Sequence, residues 1–530
     1  MKSLFRWAWC TRAPATVALT LAAVLALASL RLEPAQAQVR LPEMGETVSA
    51  SMPLGAERRL GEQIWQEVRR DPAWFDDPVL TDYLHRHWWP LVAAAERRGE
   101  IDAEMRQQFA WDAFLIRDRS INAFALPGGF VGMHLGLIAA TTAREEMVSV
   151  LAHELSHVTQ RHIARSIESS GRQTALGVAA MLLGVIAASR SGNPDIANAA
   201  IAGGQAAMIQ GQLNFSRDME READRVGQAL MVDAGFSATG MPSMFDKLDK
   251  AYRLNDAGNF PYLRSHPLTV ERIAEAQARA GIDRTVRLAG DEEHELMRAR
   301  ARVLMDPSVA HLRSILAAPG SQPADKPLAA SAAYAAALAA VLLKDGAATR
   351  AALVRLDSVS RSPAERRWAG LMQAEAALAL PTELPLPSPA SAGSADGWAR
   401  PDVLIWGRVL LAREATGAAA GDGALRNLHQ SLRTRVVREP RDAALWELLA
   451  ACETLRDNRL AALRATAESY LWSGRPDAAI LTLQSARSGA RQWREADTVE
   501  LAVIDARLNE LRRQRAQQRQ ARGERGPREE

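Results

Sequence analysis

The sequence predicts a mainly α-helical protein with one small β-sheet, and three observations carry that prediction. Aromatic residues make up 5% of the chain and tyrosines number 5, whereas alanine and leucine dominate, a composition that favours helices over sheets. Apolar residues recur at three- and four-residue spacing along most of the length, as a half-buried helix requires. A change to alternating, β-favouring residues is confined to residues 109–138. With 530 residues the chain is too long for one compact core and should divide into two or three domains, and 48% hydrophobic content argues against general disorder.

In chain order, Lys2, Arg6 and Arg12 precede sixteen uncharged residues, ATVALTLAAVLALASL, followed by RLEPAQAQ with small residues at Ala35 and Ala37. This pattern is that of a secretory signal peptide spanning 1–37, cleaved near Ala37. Cys10 precedes the apolar run, where a lipid-modified cysteine does not occur. Loss of 1–37 removes Lys2, Arg6, Arg12 and Arg31 against Glu33, which brings the 65 basic and 62 acidic residues of the whole chain into balance. The basic character of the precursor is therefore no argument for nucleic-acid binding. Only Cys452 remains beyond the signal, so no disulfide forms within the mature chain.

Residues 38 to about 115 read as a helical lead-in, from GAERRLGEQIWQEVRR and DPVLTDYLHRHWWPLVAAAERRG. FAWDAFLIRD and INAFALPGGFVGMHLGLI then predict two or three strands around a Pro-Gly-Gly turn. Helical period returns over 142–170, with Thr142 as N-cap and Glu145 three residues on. Two uncharged stretches within 173–215, separated by RSGNPD, are too short or too rich in Asn and Gln for a spanning hairpin. They are either a buried helical pair or a pair that touches a membrane surface. DMEREADRVGQALMVDAGF is a further helix ending at Gly235. Past about 290 the texture becomes alanine-rich helices in short loops. ATAESYLWSGRPDAAILTLQSAR places Tyr470, Gly474, Ala479 and Ala486 where a tetratricopeptide helix pair wants them. The expected division is thus 38–290, then a helical repeat region over 291–515 broken by the Pro/Ser/Ala loop at 380–397, then an irregular basic tail over 516–530.

The chemistry concentrates in VLAHELSHVTQRH, residues 150–162. On a helix, positions 153 and 157 lie about 40° apart, so His153 and His157 share a face and can bind one metal ion. Glu154, about 100° round, can take a proton from water at the metal's open position. His162 would lie roughly 140° from His157 and reads as a surface or packing residue. A hydrolytic zinc site needs a third protein ligand. The extended metzincin pattern would require Gly at 160 and His at 163, where this chain has Gln160 and Ile163. The helix bearing EREAD is the source instead. Glu220 and Asp224 share a face, so Glu220 could bind metal while Asp224 accepts a hydrogen bond from a ligand histidine; Asp218 and Glu222 form a second acidic pair at the same spacing, and geometry alone does not choose between the pairs.

HELSH followed by the E-x-x-x-D helix, with NAFALPGG upstream, resembles the zinc metallopeptidases that include HtpX and the CAAX prenyl endopeptidases. The signal peptide and helical C-terminal region narrow the resemblance to the soluble periplasmic chaperone-proteases, the BepA-like branch. It is dense over 56–274 and loose beyond. The resemblance implies a gluzincin-type zinc peptidase domain followed by a tetratricopeptide-like solenoid, with one Zn2+ per subunit held by His153, His157 and Glu220. Glu154 would be the catalytic base and Asp224 would orient a ligand. Asn122, Ala123, Phe124 and Ala125 match an edge strand to which a substrate strand adds. His266, in RSHPLTVERI, matches a His-Pro element near the zinc and either steadies the oxyanion or occupies the vacant coordination position in a resting form; a helix-capping histidine is the plainer alternative. The expected substrates are misassembled outer-membrane proteins in the periplasm, with the β-barrel assembly machinery as partner and a peripheral membrane contact through 173–215 as a further expectation. A chaperone or adaptor with a latent peptidase domain is the rival expectation.

Overall fold

The computed structural model describes residues 52–170, 216–254, 261–281, 291–317, 328–388, 397–417, 423–490 and 498–521. The expected signal peptide and the apolar pair at 173–215 lie outside the described residues. Helix α1 (Leu54–Arg70) buries Leu54, Glu57, Gly61, Ile64, Trp65 and Val68, a three- and four-residue stripe. A two-residue strand, β1 (Trp74–Phe75), follows inside what reads as helical lead-in, too short for any period to betray. Asp77 caps α2 (Pro78–Arg97) by accepting from Leu80 N at 2.9 Å, and Pro78 opens the helix where its missing N–H costs nothing. The short α3 (Ala103–Gln108) leads into the sheet.

Strands β2 (Asp112–Ile116), β3 (Ala123–Leu126) and β4 (Phe130–His134) join β1 in the order β1-β2-β4-β3. β3 and β4 form the hairpin expected from LPGGF, with Phe124 opposite Gly132 and Leu126 opposite Phe130. Gly128 and Gly129 turn it at φ +75° and +90°, where a side chain is disfavoured. β2 pairs with β4 in parallel, which leaves β3 as the terminal strand. The α1 helix crosses this turn closely: a Cβ at Gly61 would stand 1.8 Å from the Pro127 carbonyl oxygen. Alanine at 61 gains about 1 kcal/mol of helix propensity but must displace that backbone, at about 1–3 kcal/mol. Gly61→Ala is therefore expected to lower the urea midpoint, and an unchanged or raised midpoint would contradict the close approach.

The apolar HLGLI stretch, expected as strand, turns at His134 into the short helix α4 (Leu135–Ala140). The motif helix α5 (Arg144–Thr159) starts one residue later than its sequence signal suggests. Its cap is made by Glu146, which accepts from Thr142 N at 2.6 Å, while Glu145 pairs with Arg144. Residues 146–159 are all buried, so α5 is the central helix of the domain. It does not run on to 170. Gln160 ends it, Arg161 adopts φ +53°, and α6 (His162–Ser170) begins at a new angle.

After the undescribed segment come α7 (Arg217–Asp233), capped by Ser216, then α8 (Gly240–Leu254), α9 (Pro261–Ser265) and α10 (Val270–Arg279). Among the described residues eleven further helices follow: α11 (Glu292–Leu304), α12 (Val309–Ala317), α13 (Ala329–Leu342), α14 (Gly346–Val359), α15 (Pro363–Ala379), α16 (Arg400–Ala415), α17 (Ala424–Arg438), α18 (Ala443–Leu455), α19 (Arg459–Trp472), α20 (Pro476–Ala490) and α21 (Thr498–Ala521). α19 and α20 make the helical hairpin expected around Gly474, which turns at φ +75°, and Ala479 and Ala486 are fully buried in it. The compositional change near 290 is not a break in packing. One apolar core runs from Leu54 through Ala465, and a second, smaller one joins α19, α20 and α21. The basic tail expected to be irregular from 516 stays helical to Ala521, because Arg, Gln and Ala are good helix formers and no glycine intervenes before Gly523.

Candidate metal centre

Two helices and one loop build the site. α5 carries His153 and His157 on one face, and α7 packs against it closely enough that a Cβ at Gly227 would sit 3.0 Å from the Ala152 carbonyl. That approach brings Glu220 and Asp224 alongside the histidines. The loop after α9 adds His266. Nε2 of His153 and of His157 are 3.0 Å apart, and His266 Nδ1 lies 3.3 Å from His153 Nε2 and 2.9 Å from Glu220 Oε1. Glu220 stands 3.5 Å from each of the two α5 histidines. One candidate ligand atom from each of these four buried residues falls within 4.8 Å of the other three, the one such group among the described residues.

The donor set fits a metal ion. Ring nitrogens 3.0–3.3 Å apart oppose lone pairs unless a cation or a proton lies between them. Three imidazoles and a carboxylate are the nitrogen and oxygen donors that borderline divalent ions accept. The electrostatics agree. Although burial opposes its charge, Asp224 and Glu220 push His153 up to about 10, while burial and the His153 charge push His157 well down. Glu220 is held well below the ordinary carboxylate range, because His266 and His153 outweigh its own desolvation. The cluster thus demands positive charge in its middle.

Glu154 is adjacent and different. It is wholly buried, and neither carboxylate oxygen meets a donor in good hydrogen-bond geometry; the Ala125 backbone and His266 Nε2, 3.6 Å away, approach it. Burial raises its pKa, with the neighbouring histidines pulling the other way. A carboxylate in that condition is suited to taking up a proton.

Asp224 lies 3.0 Å from His153 Nδ1. Its second partner was not anticipated. Arg272, 3% exposed, donates to Asp224 through Nε at 2.6 Å and Nη2 at 2.8 Å, approaches Glu220 at 2.7 Å, and holds the Pro267 carbonyl at 2.8 Å. The one signal for it was its place six residues after His266, in the same short segment. Tyr262 was likewise unmarked; its buried ring stacks on His266 with centroids 4.7 Å apart. Glu222 is not one of the four clustered residues; its carboxylate meets His162 and Arg165.

Of the surface and packing readings of His162 the packing one holds, but its expected angle from His157 does not. It is fully buried, with Nδ1 2.9 Å from His157 Nδ1. The helical-wheel argument fails because the wheel stops at Gln160. Ala123 and Ala125 of β3 are buried and Phe124 half-buried over Gly132, with Asn122 buried just before them and accepting from His134 N at 3.0 Å. As the terminal strand, β3 turns one row of backbone groups away from β4, on the side of the sheet bordering α5.

Comparison with known proteins matches residues 84–280 to the model of Peptidase family M48. The chain is similar to the beta-barrel assembly-enhancing protease of Escherichia coli strain K12, with 29% identity over 479 residues, 89% of this chain and 91% of that protein. A Vibrio cholerae protein named for the same protease is 37% identical over 265 residues, and there the match spans about half of each, 49% and 52%. The mitochondrial metalloendopeptidase OMA1 of Arabidopsis thaliana is 27% identical over 203 residues, 38% of each chain. The helix pair, the acidic helix behind it and the histidine loop all lie inside the matched stretch, and residues 84–280 are a metallopeptidase domain of family M48.

Proposed function

We propose that the chain is a zinc-dependent endopeptidase of the periplasm that cuts polypeptides during outer-membrane protein assembly. The observation that carries the reading is the convergence of His153, His157 and Glu220 beside a buried Glu154 that has no firm partner. The names of the bacterial relatives support the substrate class, and among the described residues no helix is long and apolar enough to cross a membrane.

His153, His157 and Glu220 would hold the ion, and Asp224, itself gripped by Arg272, would keep His153 turned so that Nε2 faces it. A divalent ion there supplies a Lewis acid that polarises a carbonyl and acidifies water. Glu154 takes the proton from the attacking water and passes it to the amide nitrogen that leaves. A substrate strand pairing with the free edge at Asn122, Ala123, Phe124 and Ala125 would lie across Glu154 in extended form. The helices of 291–515 would hold longer polypeptides, and the β-barrel assembly machinery would be the partner.

One observation favours the rival reading of a latent peptidase within a chaperone or adaptor. His266 sits among the candidate ligands rather than beside an open position, 2% exposed and stacked on Tyr262. In this arrangement it would be a fourth ligand that must withdraw before a substrate carbonyl enters. Metal analysis of the purified chain tests the ligand set. One zinc per chain is expected, lost in Glu220→Gln and kept in Asp218→Asn, whose side chain is exposed on the same helix. Full metal content in Glu220→Gln would remove the third ligand and with it this account.

A further inference from the structure

His162 and Glu222 lie outside the group of four, yet their hydrogen bonds decide which nitrogen of His157 carries a proton. We propose that Glu222, acting through His162, is a positioning pair that fixes His157 with Nδ1 protonated and the Nε2 lone pair turned toward the metal site. This rests on the metallopeptidase reading above.

The argument runs outward to inward. Glu222 Oε2 lies 3.0 Å from His162 Nε2, and Arg165 Nη1 donates to the same oxygen at 2.8 Å. An ionised carboxylate only accepts, so His162 Nε2 must carry the hydrogen. In the neutral ring the other nitrogen, Nδ1, is then an acceptor. It stands 2.9 Å from His157 Nδ1, which must therefore be the donor. His157 is left with its lone pair on Nε2, the atom 3.0 Å from His153 Nε2 and 3.5 Å from Glu220 Oε1. His153 reaches the same state by a shorter route, its Nδ1 lying 3.0 Å from Asp224. Each ligand histidine thus answers to one acid of α7. Asp224 acts directly and Glu222 acts through an imidazole, and each acid is gripped by an arginine, Arg272 in one case and Arg165 in the other.

The chain departs from regular helix at the point that makes this possible. Continued helix would leave His162 roughly 140° from His157. The left-handed Arg161 swings it back, and Arg161 is itself held by Glu57, 3.0 Å from its Nε and 2% exposed, and by the Met52 carbonyl. The Glu222 carboxylate is the reachable end of the relay, with 29% of its side chain exposed, whereas His162 is enclosed.

Competition for Zn2+ against a chelator, on the full chain, tests the relay. Glu222→Ala and His162→Phe are expected to hold one Zn2+ roughly 10–100-fold more weakly than the parent. Glu222→Gln should fall between parent and Glu222→Ala, because Arg165 keeps its amide oxygen turned toward His162 as an acceptor. Asp218→Ala should match the parent. A purely structural role would shift the melting of the metal-free chain and leave Gln and Ala alike. If Glu222→Ala binds Zn2+ as tightly as the parent, or Glu222→Gln as weakly as Glu222→Ala, the relay is wrong while the metallopeptidase reading stands. A parent chain that takes up no Zn2+ overturns both. Should His162→Phe not fold, the partly exposed Glu222 variants still decide the matter.

Discussion

Glu154→Gln is expected to abolish hydrolysis of an unfolded polypeptide while leaving the zinc content unchanged. Glutamine keeps the shape of the side chain but cannot accept and return a proton, and loss of a general base costs about 10²–10⁴-fold in rate. Zinc should remain because Glu154 is not one of the four clustered groups. The fold should not suffer either. Burial already disfavours the Glu154 charge, so an uncharged replacement removes a desolvation cost rather than a favourable pair. The checks are a cleavage assay, metal analysis and thermal melting on the same preparation. Retained cleavage would sink the catalytic assignment. Lost cleavage with undiminished function in cells would instead favour the adaptor reading.

The second large effect lies far from the metal. Arg300, on α11, is 3% exposed and donates to Asp77 at 2.7 Å through both Nε and Nη2, to Glu375 at 2.8 and 2.7 Å, and to Tyr334 at 2.8 Å. The neighbouring Asp76 meets Arg400, which also holds Asp442. Two adjacent aspartates at the entry to α2 thus tie that helix to helices α11, α15, α16 and the turn before α18. Arg300→Met would leave the buried Asp77 and the part-buried Glu375 without their cation. Removing one partner of a buried ion pair costs about 3–5 kcal/mol. Urea unfolding of the variant should show a loss of that size, and a loss below about 1 kcal/mol would mean that solvent or another cation compensates the acids.

Arg300 also shows why a domain boundary near 290 was legible only as a change of composition. Alanine content reports how closely helices pack, and it changes there. Continuity of the core depends on which surfaces meet, and His294, bonded to Tyr83 at 2.7 Å and Thr141 at 3.1 Å, joins the two sides a few residues past the change. The β-hairpin was legible because Pro-Gly-Gly between apolar runs constrains backbone angles locally. The two-residue β1 was not, since two residues carry no period.

The sequence by itself determined whatever depends on the geometry of one element. The three-residue gap in HELSH puts two imidazoles on one face of any helix that includes it, and EREAD does the same for two carboxylates. Only the tertiary structure decided what depends on separations of tens of residues or on a break in an element. It brought Arg272 onto Asp224 across 48 positions and returned His162 to His157 through one left-handed residue. The physical reason is that helical periodicity fixes angles only while the helix lasts. Beyond its end, the direction of the chain is set by buried contacts such as that of Arg161 with Glu57, which no local pattern records.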